Sequence, residues 1–186
     1  MAETFREVTD KLKHFIECQK IFFVGTAAAD GRVNISPKGL DSLRVISPNK
    51  VVWLNFTGSA NETAAHVLES SRMTLMFCSF EQRPLILRLY GKAELIYPRD
   101  AGWQENIILF PEVSGARQIF DMHVDLVQTS CGYAVPFFDF VSDRDVLQKW
   151  ADAKGQEGIE DYWRQNNQQS MDGKPTSIIV EDRQGD

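Results

Sequence analysis

The sequence predicts a mainly β domain: six or seven mostly antiparallel strands in a closed or partly closed barrel, flanked by helices. Three observations predict it. Between Ile21 and Phe56, apolar β-prone runs follow one another too closely for the helical crossovers that parallel strands require. Strong turn signals, Asp30-Gly31 and Ser47-Pro48-Asn49-Lys50, fall between those runs. Stretches with helical spacing lie before, between and after the strands.

Thr9 to Lys20 reads as an amphipathic helix, with Leu12, Phe15 and Ile16 on one face. Strands are expected at Ile21 to Ala29, Arg32 to Gly39, Leu43 to Ile46 and Val51 to Phe56. Ser59-Ala60-Asn61-Glu62 has the form of a capping box: the Ser59 hydroxyl takes the Glu62 amide, and the Glu62 carboxylate reaches back. The helix it starts would run to about Ser70 and bury Ala64, Ala65 and Leu68. Met73 to Phe80 is a strand, and Leu85 to Tyr97 a long one in which Gly91 marks a bulge or a close approach. Asp100 can cap a helix carrying Trp103, Ile107 and Ile108, and a second short helix is expected around Ser114 to Ile119. Asp121 to Thr129 is the last strand, followed by an unusually aromatic loop through Phe138. Ser142 or Asp143 caps a helix through Val146, Leu147 and Trp150, and another helix covers Glu157 to Asn166. These elements make one domain over residues 1–171, with a polar, flexible tail at 172–186.

The net charge of −6 argues against general nucleic-acid binding, so any anion site must be local. Cys18, Cys78 and Cys131 form no CxxC pair, and an odd count fits reduced thiols in the cytoplasm. Cys78 lies in an apolar run and reads as core. The charged start resembles no signal peptide, and no apolar run approaches the roughly 20 residues that span a bilayer. Dinucleotide, Walker A, serine-elbow and zinc-ligand spacings are absent. His66 lies one helical turn after Glu62, which makes either an acid-base pair or a helix histidine satisfied by a neighbour.

Two segments carry the chemistry. In Asn34 to Gly39, a strand runs into Ser36-Pro37-Lys38-Gly39: a hydroxyl, a rigid corner, a cation and a flexible position. In Trp53 to Thr63, a strand and a glycine turn lead to a helix start, whose free amides and partial positive charge suit a phosphate. Thr57, Ser59 and Thr63 add hydroxyls, and Lys38 would face the same anion if the two strands are neighbours. The plain alternatives are an ordinary strand exit and an ordinary capped helix.

The runs G-R-V-N-I-S-P-K-G, V-W-L-N-F-T-G-S-A-N-E-T-A-A-H, S-R-M-T-L-M-F and L-R-L-Y-G-K-A-E resemble the pyridoxamine 5'-phosphate oxidase-related group of FMN-binding split β-barrels. The later C-G-Y-A-V-P and S-M-D-G-K-P segments resemble one branch of it, and the likeness spans Ile21 to Pro175. The resemblance implies a homodimer with FMN at the subunit interface, and an oxidoreductase transferring hydride or electrons. It places Asn34, Ser36, Pro37 and Lys38 along the flavin and its phosphate arm, and Trp53 and Asn55 near the ring or ribityl chain. It sets Thr57, Asn61, Glu62 and Thr63 at the phosphate end, and Arg88 on a strand facing the flavin, across the dimer. The chain departs from the family pattern where basic residues stand at the helix start, here Asn61-Glu62-Thr63. Glu62 is therefore expected to act as a cap, with the phosphate held by amides, hydroxyls, Lys38 and Arg44 or Arg72. The C-terminal Arg and His substrate motif is missing, which argues against formation of pyridoxal phosphate. No residue stands out as acid or base, and no metal set is present. The alternatives are a non-catalytic FMN or haem binder and a ligand-free dimeric interaction module. The aromatic loop would either close over the flavin as a substrate pocket or pack at the dimer interface.

Overall fold

A computed structural model describes residues 2–180. The described residues form eight strands and four helices: β1 Glu3–Phe5, α1 Asp10–Cys18, β2 Phe22–Thr26, β3 Asn34–Lys38, β4 Leu43–Ser47, β5 Lys50–Phe56, α2 Glu62–Ser70, β6 Arg72–Cys78, β7 Ile86–Ile96, α3 Trp103–Ile107, β8 Ala116–Ser130 and α4 Val146–Asn166. All strand pairs are antiparallel. The order is β3-β2-β6-β7-β8-β5-β4, with β1 added on β8. β3 and β4 end this path without pairing to each other, so the barrel is split rather than closed.

Alternation explains the core. Phe22, Val24, Trp53, Leu75, Leu87, Leu89, Phe120 and Met122 point to one side of the curled sheet and are all buried there. The other side of β5 and β8 buries Val52, Leu54 and Ile119 against Trp103 of α3 and Phe110. A third cluster joins Tyr97 to Ala151, Ile159 and Trp163 of α4 and to Ile178.

The structure corrects several expectations. The short helix at Ser114 to Ile119 is the start of β8, because Phe120 and Ile119 pair with Trp53 and Leu54 in a strand buried on both faces. β1 adds to the expected set; its three residues cover the far end of β8. Leu68 is 48% exposed, while Thr63 to Val67 are buried. Asp100 accepts the Tyr97 amide in the turn before α3, rather than capping the helix. The two expected C-terminal helices form one run broken at Gly155, where φ is 63°. Its N-cap is Asp145 rather than Ser142 or Asp143.

Residues 172–180 lie against the body. Asp172 pairs with Arg32, Lys174 bridges Asp30 and Glu69 at 2.7 and 2.6 Å, and Thr176 and Ile178 are buried. Residues 181–186, the rest of the expected tail, lie outside the described residues.

Candidate functional site

The two segments singled out in the sequence meet. Register places Asn34, Ser36 and Lys38 opposite Thr26, Val24 and Phe22, so their side chains share the core face of the sheet at its β3 edge. Asn34 Nδ2 donates to Thr63 Oγ1 at 3.1 Å, tying β3 to the first turn of α2. Ser36 Oγ donates to Asn34 Oδ1 at 3.1 Å. Thr26 Oγ1 lies 3.1 Å from His66 Nδ1 and accepts from Asn34 at 3.4 Å. His66 Nε2 is buried and has no partner among the described residues. Of the two readings of His66, the helix histidine satisfied by a neighbour holds: His66 turns to Thr26, and Glu62 accepts the Met171 amide instead.

The capping box also gives way. The helix begins at Glu62 rather than Ser59, and its N-cap Asn61 makes no side-chain cap. Glu62 Oε1 accepts the Met171 amide at 2.9 Å, so the C-terminal segment holds this carboxylate. Asn61 Oδ1 instead accepts from Gln118 Nε2 at 2.7 Å, and its Nδ2 reaches the Asn167 carbonyl at 3.4 Å. The first amides of α2 have no intrahelical acceptor, and the helix dipole adds positive potential there.

Lys38 is the partly buried cation of this wall. Its ammonium lies 5.6 Å from the centre of the Trp53 ring. Burial, and then the charge of Arg117, lower its pKa from 10.5 to about 8. Arg117 itself is 3% exposed. Its Nη1 donates to the carbonyls of Gly58 (3.4 Å) and Ala60 (2.9 Å) and to Asn167 Oδ1 (2.9 Å). Burial lowers its pKa to about 10. Among the described residues no carboxylate is within ion-pair distance of Lys38 or Arg117.

Other residues named from the sequence fall elsewhere. Trp53 is fully buried, stacked on Phe120 at 4.4 Å, with Nε1 donating to Met73 Sδ; it forms a floor under Lys38 and has no surface to offer a ring. Asn55 is 3% exposed on the same strand. Thr57 is sealed beneath α4, donating to the Gly115 carbonyl at 2.9 Å and accepting from Trp163 Nε1 at 2.9 Å. Pro37 faces the opposite side from Lys38, beside Phe23. Arg88 lies on that same outer side, between Met76 and Gln128, and donates to Ser130 Oγ at 3.2 Å. Arg44 is occupied by Asp41 in a two-pronged pair (2.8 and 2.9 Å), and Arg72 is exposed at the start of β6. Arg117 escapes the sequence reading because it falls in the stretch that reads as a short helix. Its signal is a lone cation in the otherwise uncharged run Val113 to Phe120.

Beyond Pro37 opens a cleft of about 1010 Å³ lined by Phe23, Phe80, Phe138, Phe140, Leu147 and Trp150. Phe138 packs edge-on against Phe80 at 5.5 Å, and Lys20 lies 5.7 Å from the centre of the Phe140 ring. Tyr133, Phe137 and Val141 of the same loop are at least 71% exposed. Among the described residues no three His, Cys, Asp or Glu side chains gather as a metal site, and no helix is long and apolar enough to cross a membrane.

The chain is similar to known proteins in sequence and in fold. The family described as pyridoxamine 5'-phosphate oxidase matches residues 8–131. The chain is 36% identical over 190 residues to the pyridoxamine 5'-phosphate oxidase family protein ustO of Aspergillus flavus, covering 92% of this chain and 76% of that protein. Among solved structures, HupZ of Group A Streptococcus is similar with a TM-score of 0.54 and 21% identity, over 64% of this chain and 91% of that one. A pyridoxamine 5'-phosphate oxidase-like protein of Lactobacillus delbrueckii gives a TM-score of 0.53 and 18% identity, over 66% of this chain and 94% of that one. At these identities the structures speak for the fold alone.

Proposed function

The chain belongs to the pyridoxamine 5'-phosphate oxidase family, and from that premise we propose that it binds FMN along β3 and the start of α2 and acts as a flavin-dependent oxidoreductase. The observation that carries this reading is the juxtaposition of β3 and α2. The Asn34–Thr63 bond sets a polar strand against a helix start, with Lys38 on the same face and without a carboxylate partner. In a chain of net charge −6, that local surplus of positive potential suits a phosphomonoester. Helix amides, the Thr63 and Ser36 hydroxyls and Lys38 would hold the phosphate. The Glu62 carboxylate keeps its charge, but its bond to the Met171 amide turns it toward the C-terminal segment.

When bound, FMN would supply hydride or single-electron transfer. The chain's own part is to fix the phosphate, keep Lys38 charged beside it, and offer the aromatic cleft beyond Pro37 to a planar, apolar substrate. Arg88, on the outer face, fits a role toward a flavin shared between two copies in a homodimer. Three free cysteines favour the cytoplasm. Formation of pyridoxal phosphate is not part of the proposal, since the Arg and His substrate motif is missing.

Absorption spectroscopy tests this directly. The purified chain, as isolated or after FMN addition and gel filtration, should show oxidised-flavin bands that NAD(P)H or dithionite bleaches. Failure to carry or retain FMN would overturn the reading. A haem Soret band on haem addition, with no flavin retained, would replace it with haem binding. Retained flavin that no nicotinamide donor reduces would leave the binding claim standing and remove nicotinamide-driven turnover.

A further inference from the structure

After α4 the chain folds into a finger, residues 168–176. Its base is closed by the Thr176 amide donating to the Gln168 carbonyl at 3.0 Å and by a bridge between Gln169 and Pro175. The base is anchored in the body: Asn167 and Thr176 are fully buried, and Thr176 Oγ1 donates to the Asn167 carbonyl at 2.6 Å. At the tip the Ser170 amide donates to the Lys174 carbonyl at 2.8 Å, and the Gly173 amide to the Ser170 carbonyl at 2.9 Å. The tip meets the rest of the chain mainly through charge, and its partners Asp30 and Arg32 keep 86% and 71% of their side chains exposed.

That tip holds both walls of the proposed site. On the β3 side it grips the β2–β3 turn. Lys174 Nζ donates to Asp30 Oδ1 at 2.7 Å, and Asp172 accepts the Arg32 amide at 2.7 Å and pairs with its guanidinium. Gly31 lets the turn lie this close, because a Cβ there would collide with the Asp172 carboxylate. On the α2 side Lys174 donates to Glu69 at 2.6 Å, and the Met171 amide to Glu62 at 2.9 Å. Glu69 in turn accepts the Ala29 amide at 2.8 Å. β3 ends the sheet and pairs with β2 alone among the described residues. Between β3 and α2 themselves the described residues make one hydrogen bond, Asn34 to Thr63. The spacing of the two walls therefore depends on the finger. Exposed ion pairs are individually weak and screened by salt, so the tip can open while the buried base stays in place.

We infer that the finger is an ionic latch on the site: Asp172 and Lys174 are positioning residues that hold the β2–β3 turn against α2 and so set the gap in which a flavin is retained. The inference rests on the flavin reading in taking FMN as the molecule in that gap. Both residues act through Asp30, Arg32 and Glu69 rather than on the ligand.

Amide hydrogen exchange on the full chain, followed by NMR without ligand, tests the latch itself. Lys174→Met should speed exchange at Ala29, Arg32 and Met171 together by about tenfold or more, and leave Thr176 and the β7–β8 ladder unchanged. Lys174→Arg, which can still bridge two carboxylates, should restore protection. Flavin fluorescence then tests its role. Lys174→Met removes a positive charge and Asp172→Asn a negative one, so a direct field on the phosphate would move FMN affinity in opposite directions. The latch predicts that both lower it, by about fivefold or more, and that Lys174→Arg recovers it. Unchanged exchange at the three amides, unchanged FMN affinity, or opposite shifts in the two variants would overturn the inference. Should Lys174→Met not fold, Asp172→Asn carries the same exchange and affinity predictions. If wild-type protein binds no FMN, the flavin reading fails on its own. Exchange then decides the latch: joint loss of protection at the three amides supports a clamp between β3 and α2, and independent loss overturns it.

Discussion

Lys38 shows how one side chain couples fold to ligand. Its ammonium sits over Trp53, within the field of Arg117, so burial and that charge hold its pKa near 8 against an ordinary 10.5. At pH 7 the amine is charged both folded and unfolded, and the full penalty of burying it is present. Above about 8 the folded chain releases the proton, while the unfolded chain keeps it to about 10.5. Stability from this group therefore rises with pH through that window. Lys38→Met should stabilise the ligand-free protein at pH 7 by up to about 3 kcal/mol, and the advantage should vanish by about pH 10.5. Urea denaturation of both proteins across pH checks this, and a pH-independent difference would sink it. The same shift predicts that FMN affinity falls as pH rises through about 8, and that Lys38→Met removes the fall. Asn34, Thr63 and Lys38 are legible in the sequence because polar residues alternate along a strand and a helix start lies within reach. Arg117 is not, because what makes it unusual is a loop 57 residues earlier that only the β5–β8 pairing brings to it.

At the scale of elements, Gly91 is the position the strand pattern singles out, and the structure shows both expected features there. The β7–β8 register shifts between Tyr90 and Gly91, and a Cβ at Gly91 would collide with the His123 carbonyl oxygen and stand 2.9 Å from its carbon. That neighbour is backbone in the central ladder, so it cannot swing aside. Gly91→Ala should cost about 3 kcal/mol and lower the melting temperature by roughly 5–10 °C, measured by calorimetry. A melting temperature within a degree or so of wild type would show that β8 yields at the bulge. Most strands are legible because alternation and turn residues are local signals. The exceptions share a cause, partners distant in sequence: Arg117 to Phe120 is buried on both faces although Arg117 and Gln118 break the apolar alternation, and β1 exists because β8 offers it an edge. The capping box fails similarly, since Glu62 finds a better partner 109 residues away in Met171.

For the whole molecule, the decisive feature is the side of the sheet facing away from the core. Register aligns Pro37, Phe23, Met76, Arg88 and Gln128 in one row across β3, β2, β6, β7 and β8. Beside that row stand Ile35, 69% exposed, and Leu126, 40% exposed. If the chain pairs with a copy of itself, these exposed apolar groups on a continuous sheet face, next to an aromatic loop, are the surface it would use. A second copy of the chain would bury it and bring Arg88 of each copy toward the other's flavin. Ile35→Glu tests this without disturbing the fold, because the side chain is already exposed and its strand neighbour is Gly25. If the homodimer forms through this face, sedimentation should show Ile35→Glu as a monomer at concentrations where wild type is a dimer. FMN affinity should then fall and depend on protein concentration, while the melting temperature of the ligand-free monomer stays that of a folded chain. A dimer that survives Ile35→Glu with wild-type FMN affinity would move the interface off β3. A wild-type monomer that binds FMN fully would remove the second copy from the site altogether.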